Sequence, residues 1–169
     1  MNATASLQQA RRLAGIAQVL AIVALVTIVV AILLRGGVSL GVSLFTSQVE
    51  WSERLQSIGL VLVTMLPAML LFEAVNRLRQ ALALYAQGDF FSSQASHHVS
   101  RSGVLATQAL VVMIAVVPNL TLWLTDHGGF TLRIEPEYLG LLAFSLFVAS
   151  VGRILDEAAQ IKAENDAFI

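Results

Sequence analysis

The stretch FEAVNRLRQALALYAQGDFFS, Phe72 to Ser92, decides how this chain is built. It follows an apolar run, carries charge at once in Glu73, and keeps a helical rhythm up to a glycine. Val75, Leu78, Leu82 and Tyr85 recur at helical spacing and share one face. Asn76, Arg77, Gln80, Ala83 and Gln87 lie largely off it. The apolar run therefore predicts a helix that outlasts its own hydrophobic part. Gly88 suits the position just past a helix end, where a left-handed backbone costs glycine little. Asp89, Phe90 and Phe91 supply the turn, and the hydroxyl of Ser92 or Ser93 caps the next helix. That helix carries His97, His98 and Arg101 into a further apolar run.

Four apolar runs flank or follow this hairpin. Residues 13–34 contain no charge and are long enough to cross about 30 Å of hydrocarbon. The run is longer than the apolar region of a cleaved leader, so an uncleaved first span is expected. The second span covers 55–73, with Pro67 inside it predicting a mild kink. The third covers 103–124 and contains Pro118-Asn119, and the fourth covers 138–154. Hydrophobic residues make up 57% of the 169 and charged residues 12%. A soluble domain has roughly a quarter charged, so lipid is the expected solvent. A net charge of −1 gives no basic surface for nucleic acid, and with no cysteine there is no disulfide or thiolate chemistry.

The basic residues set a direction. Arg11, Arg12, Arg77, Arg79, Arg101, Arg153 and Lys162 fall on one side, Arg35, Arg54 and Arg133 on the other. Positive charge collects on the cytoplasmic side, so both termini and the hairpin 74–101 are expected in the cytoplasm. The expected fold is mainly α: one integral membrane domain over 1–169, with four transmembrane helices. Spans two, three and four have helical cytoplasmic extensions, the last over 155–169. Gly36 to Phe45 and Gly129 to Pro136 alternate at period two, which predicts a small extracytoplasmic two-stranded β element; irregular loops are the other reading.

The tail is the expected cover for the hairpin stripe, through Val151, Leu155, Ala158 and Ile161. Its acidic residues Asp156, Glu157, Glu164 and Asp166 are placed to face Arg77, Arg79 and Arg101. Lipid or a second protein are the other covers.

Two segments resemble the YoaS-like family of small four-span bacterial membrane proteins of unknown function. Gly88, Phe91 and Ser92 match its turn, and Glu164, Asn165, Asp166 and Ile169 match its tail. The resemblance implies a regulatory partnership, since some members are encoded beside a helix-turn-helix regulator. It implies no catalytic residue.

Chemistry-bearing residues are few. His97 and His98 are sequence neighbours, which point in different directions on a helix, so a solvated pair is expected rather than a metal site. Asp126-His127 reads as a polar turn. Glu73 is the carboxylate nearest the membrane, with Arg153 as its expected partner. No span shows a central ionisable residue, and no nucleotide loop or catalytic triad is present. The chain is thus expected to be no enzyme, to need no cofactor, and to act by interaction with the lipid bilayer, with a cytoplasmic regulatory protein, or with further copies of itself. A small oligomeric channel or transporter is the alternative, with Gly15, Ala17, Ala21 and Ala24 allowing close helix contacts.

Overall fold

A computed structural model describes residues 3–38, 41, 50–89, 92–125, 128–132 and 134–166, with the side chains of 3–7 and 166 outside the description. Helix α1 spans Ala3–Ile32 and runs on into a π-helical turn, Leu33–Gly37. Helix α2 spans Trp51–Gln87, α3 spans Ser93–Val111, α4 spans Val117–Leu124 and α5 spans Pro136–Asp166. A second π turn, Val112–Val116, joins α3 and α4 into one rod. Among the described residues this makes four rods, each long and apolar enough to cross a membrane.

The rods form an open row. α2 lies between α1 and α3, and α3 lies between α2 and α5; among the described residues α1 and α5 are the two edges, with no seam between them like the other three. Neighbours are antiparallel. Arg11 lies against Gly88 while Gly36 lies against Met65, and Gly103 meets Ala149 while Gly152 meets Ser100.

Packing is inverted relative to a water-soluble bundle. The buried apolar residues are mostly alanines: Ala14, Ala21, Ala74, Ala81, Ala95, Ala109, Ala149 and Ala159. Leu20, Phe144 and Phe147 each keep 63% of their surface exposed. Lipid tails are as apolar as leucine, so nothing drives large side chains inward; close packing of small residues holds such helices together. The buried small residues recur every seven positions: Ala14 and Ala21; Ala74 and Ala81; Ala95, Ser102 and Ala109; Ser145, Gly152 and Ala159. A sustained seven-residue repeat keeps one seam facing its neighbour and favours a left-handed supercoil.

Two prolines are absorbed differently. α2 passes Pro67 as one unbroken helix. Pro118 follows directly on the π turn, which is where a helix meets a ring that clashes with the preceding turn and lacks a donor.

Among the described residues the expected two-stranded element is not present. Gly36 and Gly37 belong to the π turn and Val38 is helical; Leu40, Val42, Leu44 and Phe45 lie outside the described residues. Gly129–Leu132 and Ile134–Glu135 are in no strand. A side chain takes the place of a strand partner: Thr131 N–H donates to Asn119 Oδ1 at 2.9 Å, and Asn119 Nδ2 donates to the Thr131 carbonyl at 2.7 Å. The loop is thereby pinned along α4. At the same end, Gln56 Nε2 donates to the Leu124 carbonyl, tying the start of α2 to the end of α4. Trp51 and Trp123, 77% and 74% exposed, stand at this end too, the position aromatic residues favour at a membrane–water interface.

Candidate interaction surface

The opposite end of the row gathers most of the residues that the sequence singles out. Its centre is the α2–α3 turn. Gly88 adopts φ +95°; its N–H reaches the Tyr85 carbonyl at 2.9 Å and Asp89 N–H reaches Leu84 at 3.1 Å. These paired bonds are a Schellman motif and satisfy carbonyls that a helix end would leave open. Ser92 then caps α3: its hydroxyl accepts from Ala95 N–H at 3.1 Å. The sequence reading of both positions holds in geometry. Phe91 lies outside the described residues.

Two further chain segments converge on this turn. The Arg11 guanidinium of α1 sits against Gly88, so close that a Cβ there would fall 2.1 Å from its Nη2. From α5, Asp156 Oδ1 accepts a hydrogen bond from Ser93 Oγ at 2.7 Å. The tail therefore closes on α3 rather than on the α2 stripe. Leu78 and Leu82 are half-buried, flanking the seam at Ala74 and Ala81. On α5 the buried positions are Gly152 and Ala159, whereas Ile161 is 59% exposed. The expected tail face is thus turned by about one residue.

Charge partners also differ from expectation. Glu73 pairs with Arg77 on its own helix, with Nε–Oε1 at 2.7 Å. It does not reach Arg153, because α3 stands between α2 and α5. The pair is 37–39% exposed, so it contributes no more than about 1 kcal/mol. Arg79 bonds to Asn76 one turn away. Arg101, Arg153, Glu164 and Asn165 are exposed; Asp166 ends α5 and its side chain lies outside the description. Arg101, Arg153 and Glu164 thus decorate the surface as separate charges. His97 and His98 have ring centroids 6.5 Å apart. His98, outside the apolar run that begins at Gly103, has its pKa lowered by burial first, then by Arg77 and His97. Among the described residues no three His, Cys, Asp or Glu side chains approach closely enough to hold a metal.

Residues 43–169 match the model of a family described as protein of unknown function, DUF2975. The chain belongs to this family. The match covers α2, α3, α4 and α5 and begins beyond α1. No curated protein and no solved structure matches the chain.

The sequence reading missed the contact that organises α3 and α5. A Cβ on Gly103 would lie 2.3 Å from Ala149 N, and one on Gly152 would lie 2.2 Å from Ser100 N. One turn beyond the Gly103–Ala149 contact, Thr107 and Ser145 hydroxyls share a hydrogen bond at 2.9 Å. The signal was available as small residues at seven-residue intervals.

A second omission concerns depth. The apolar part of α2, Ile58 to Phe72, centres on Met65, and Met65 lies against Gly36. Arg35 is therefore close to the level of Met65 in the row, while on α1 itself it directly follows the charge-free run 13–34. Glu73 in turn shares a groove with Val29 and Ile32 of α1.

Proposed function

We propose that this DUF2975 chain is a non-enzymatic interaction module of a bacterial inner membrane. In this reading the α2–α3 turn, the start of α1 and the end of α5 form its cytoplasmic docking surface, and a regulatory protein is its partner. One observation carries the reading. At about 1.5 Å per residue, the 37 residues of α2 extend about 55 Å, well beyond the ~30 Å of hydrocarbon. The surplus is ordered protein: a capped turn, with α1 and α5 laid against it. The excess of arginine and lysine at this end supports its placement in the cytoplasm. The resemblance of Gly88, Ser92 and the Glu164-Asn165-Asp166 tail to the YoaS-like family supports a regulatory partner.

Cross-linking in native membranes followed by mass spectrometry tests the proposal. A stoichiometric partner joined near residues 74–101 or 155–165, and lost with Ile161→Asp and Arg101→Glu while membrane insertion persists, is the expected result. Recovery of no protein at this end other than the chain itself contradicts it. A small oligomeric channel or transporter is the second reading, favoured by the open space beside Gly15, where a further helix can approach closely. Reconstituted vesicles that stay tight to ions and small solutes would remove it.

A further inference from the structure

The α3–α5 pair brings two arginines together. Gly152 of α5 lies against the Ser100 backbone of α3. The helices are antiparallel, so the next residue on each turns about 100° toward the same side of the pair. Arg101 and Arg153 therefore stand side by side, at one level and on one face. Both are exposed, and among the described residues neither makes an ion pair. Arg101 comes two residues before the third apolar run, and Arg153 falls in the last turn of the fourth. Both thus sit at the edge of the hydrocarbon. Packed helices lie about 8–10 Å apart, a gap that two arginine side chains close over a single phosphate.

The same face continues toward lipid. Gln108 is seven residues after Arg101 and Leu146 seven before Arg153; seven residues are nearly two full turns, so each lies on its arginine's face about 10 Å further in. Gln108 is exposed within the apolar run, and among the described residues its amide makes no hydrogen bond. Leu146 and Val111 are 50% and 48% exposed. Glu157 lies the other way, one turn beyond Arg153 and away from the apolar run. From water to lipid the face reads acid, paired cations, amide, aliphatic surface.

We propose that this face binds an anionic phospholipid, with its phosphate between Arg101 and Arg153, an ester carbonyl on the Gln108 amide, and its chains along Val111 and Leu146. Arginine presents a fork of N–H donors that matches phosphate oxygens, and basic pockets between spans at the membrane surface take anionic head groups. The order of groups selects the occupant. An acidic protein segment arriving from water would meet Glu157 first. A soluble phosphate would leave the amide and the aliphatic surface unused. A zwitterionic lipid brings its own cation to a site that already holds two. The proposal rests on the membrane reading of the chain and is independent of what docks at the α2–α3 turn.

Native mass spectrometry of the full chain in non-ionic detergent tests it. The probes are phosphatidylglycerol, phosphatidylcholine with the same chains, and glycerol 1-phosphate. The expected result is one phosphatidylglycerol per chain, retained at least about tenfold better than phosphatidylcholine, since a basic residue near the surface is worth about fivefold. Arg101→Gln and Arg153→Gln should each lower that preference about fivefold, and together erase it. Gln108→Leu should weaken both lipids alike, by about threefold, the mean strength of such bonds within membranes. Arg12→Gln, which removes the same charge from the opposite edge of the row, should leave the preference unchanged. Equal retention of the two lipids by the natural sequence overturns the proposal. So does a preference that falls as far with Arg12→Gln as with Arg153→Gln, and so does displacement of phosphatidylglycerol by glycerol 1-phosphate at equal concentration. Arg12, Arg101, Gln108 and Arg153 are all exposed, so these variants keep the helix seams and remain readable.

Discussion

The two edges of the helix row are joined to its centre in opposite ways. At the α3–α5 seam, glycine lies against backbone: Gly103 against Ala149, Gly152 against Ser100. At the α1–α2 seam, Gly36 lies against the tip of a methionine, and a cavity remains beside it. The first seam has no space and a hydroxyl pair across it; the second has space, a flexible filler and a charge. Backbone contact specifies one arrangement, because nothing in it can move without moving a helix. Side-chain contact leaves room for adjustment. The family match agrees with this division, since it covers α3 and α5 and begins after α1.

The sharpest way to break the comparison is to add bulk to both seams. Gly152→Leu drives a side chain into the Ser100 backbone and should cost more than about 3 kcal/mol, the upper range of overpacking. Thermal unfolding in detergent would show it as loss of the cooperative transition. If Gly152→Leu unfolds like the natural sequence, the seam is not backbone-tight. Next in size, Gly88→Ala places a Cβ in a left-handed conformation and should cost about 1 kcal/mol. The same unfolding assay reads it, and Gly88→Asn should lose less. Thr107→Val removes the hydroxyl pair with Ser145 and should cost about 0.6 kcal/mol, the mean for such bonds within membranes. A double-mutant cycle with Ser145→Ala isolates that coupling. Smallest is Gly36→Ala. Its added Cβ crowds only the flexible Met65 side chain, which can swing into the cavity, so the change should stay under about 0.5 kcal/mol. A loss as large as that of Gly152→Leu would erase the distinction between the seams.

The sequence made the rods, the hairpin and both caps legible. Those features depend on local chemistry: apolar length for the rods, left-handed freedom at Gly88, a hydroxyl at Ser92. It misdirected the choice of buried face. Val151, Leu155 and Ile161 are larger apolar residues on the expected face, and in water that face would turn inward. Here Gly152 and Ala159 do so, and Ile161 stays out. Where lipid is the solvent, size rather than hydrophobicity sorts inside from outside. The Glu73–Arg153 pairing failed for another reason: the order of helices in the row is a tertiary fact, and α3 intervenes. The loop at Gly129–Leu132 alternates as a strand does, yet Asn119 supplies the donor and acceptor that a second strand would have offered. The approach of Gly36 to Met65 could not be read from α1 alone, because it depends on the register between α1 and α2.

The central claim is the order of the row, and the absence of natural cysteine makes it directly testable. Thr107→Cys with Ser145→Cys places two thiols across the α3–α5 seam, where the natural hydroxyls are 2.9 Å apart. Leu20→Cys with Ile154→Cys places them on the two edge helices, at positions 63% and 65% exposed. Under mild oxidation in native membranes, the first pair should close an intramolecular disulfide, seen as a faster-migrating monomer that reverts on reduction, and the second should not. A closed α1–α5 bridge within one chain, with no bridge at 107–145, would contradict the open row.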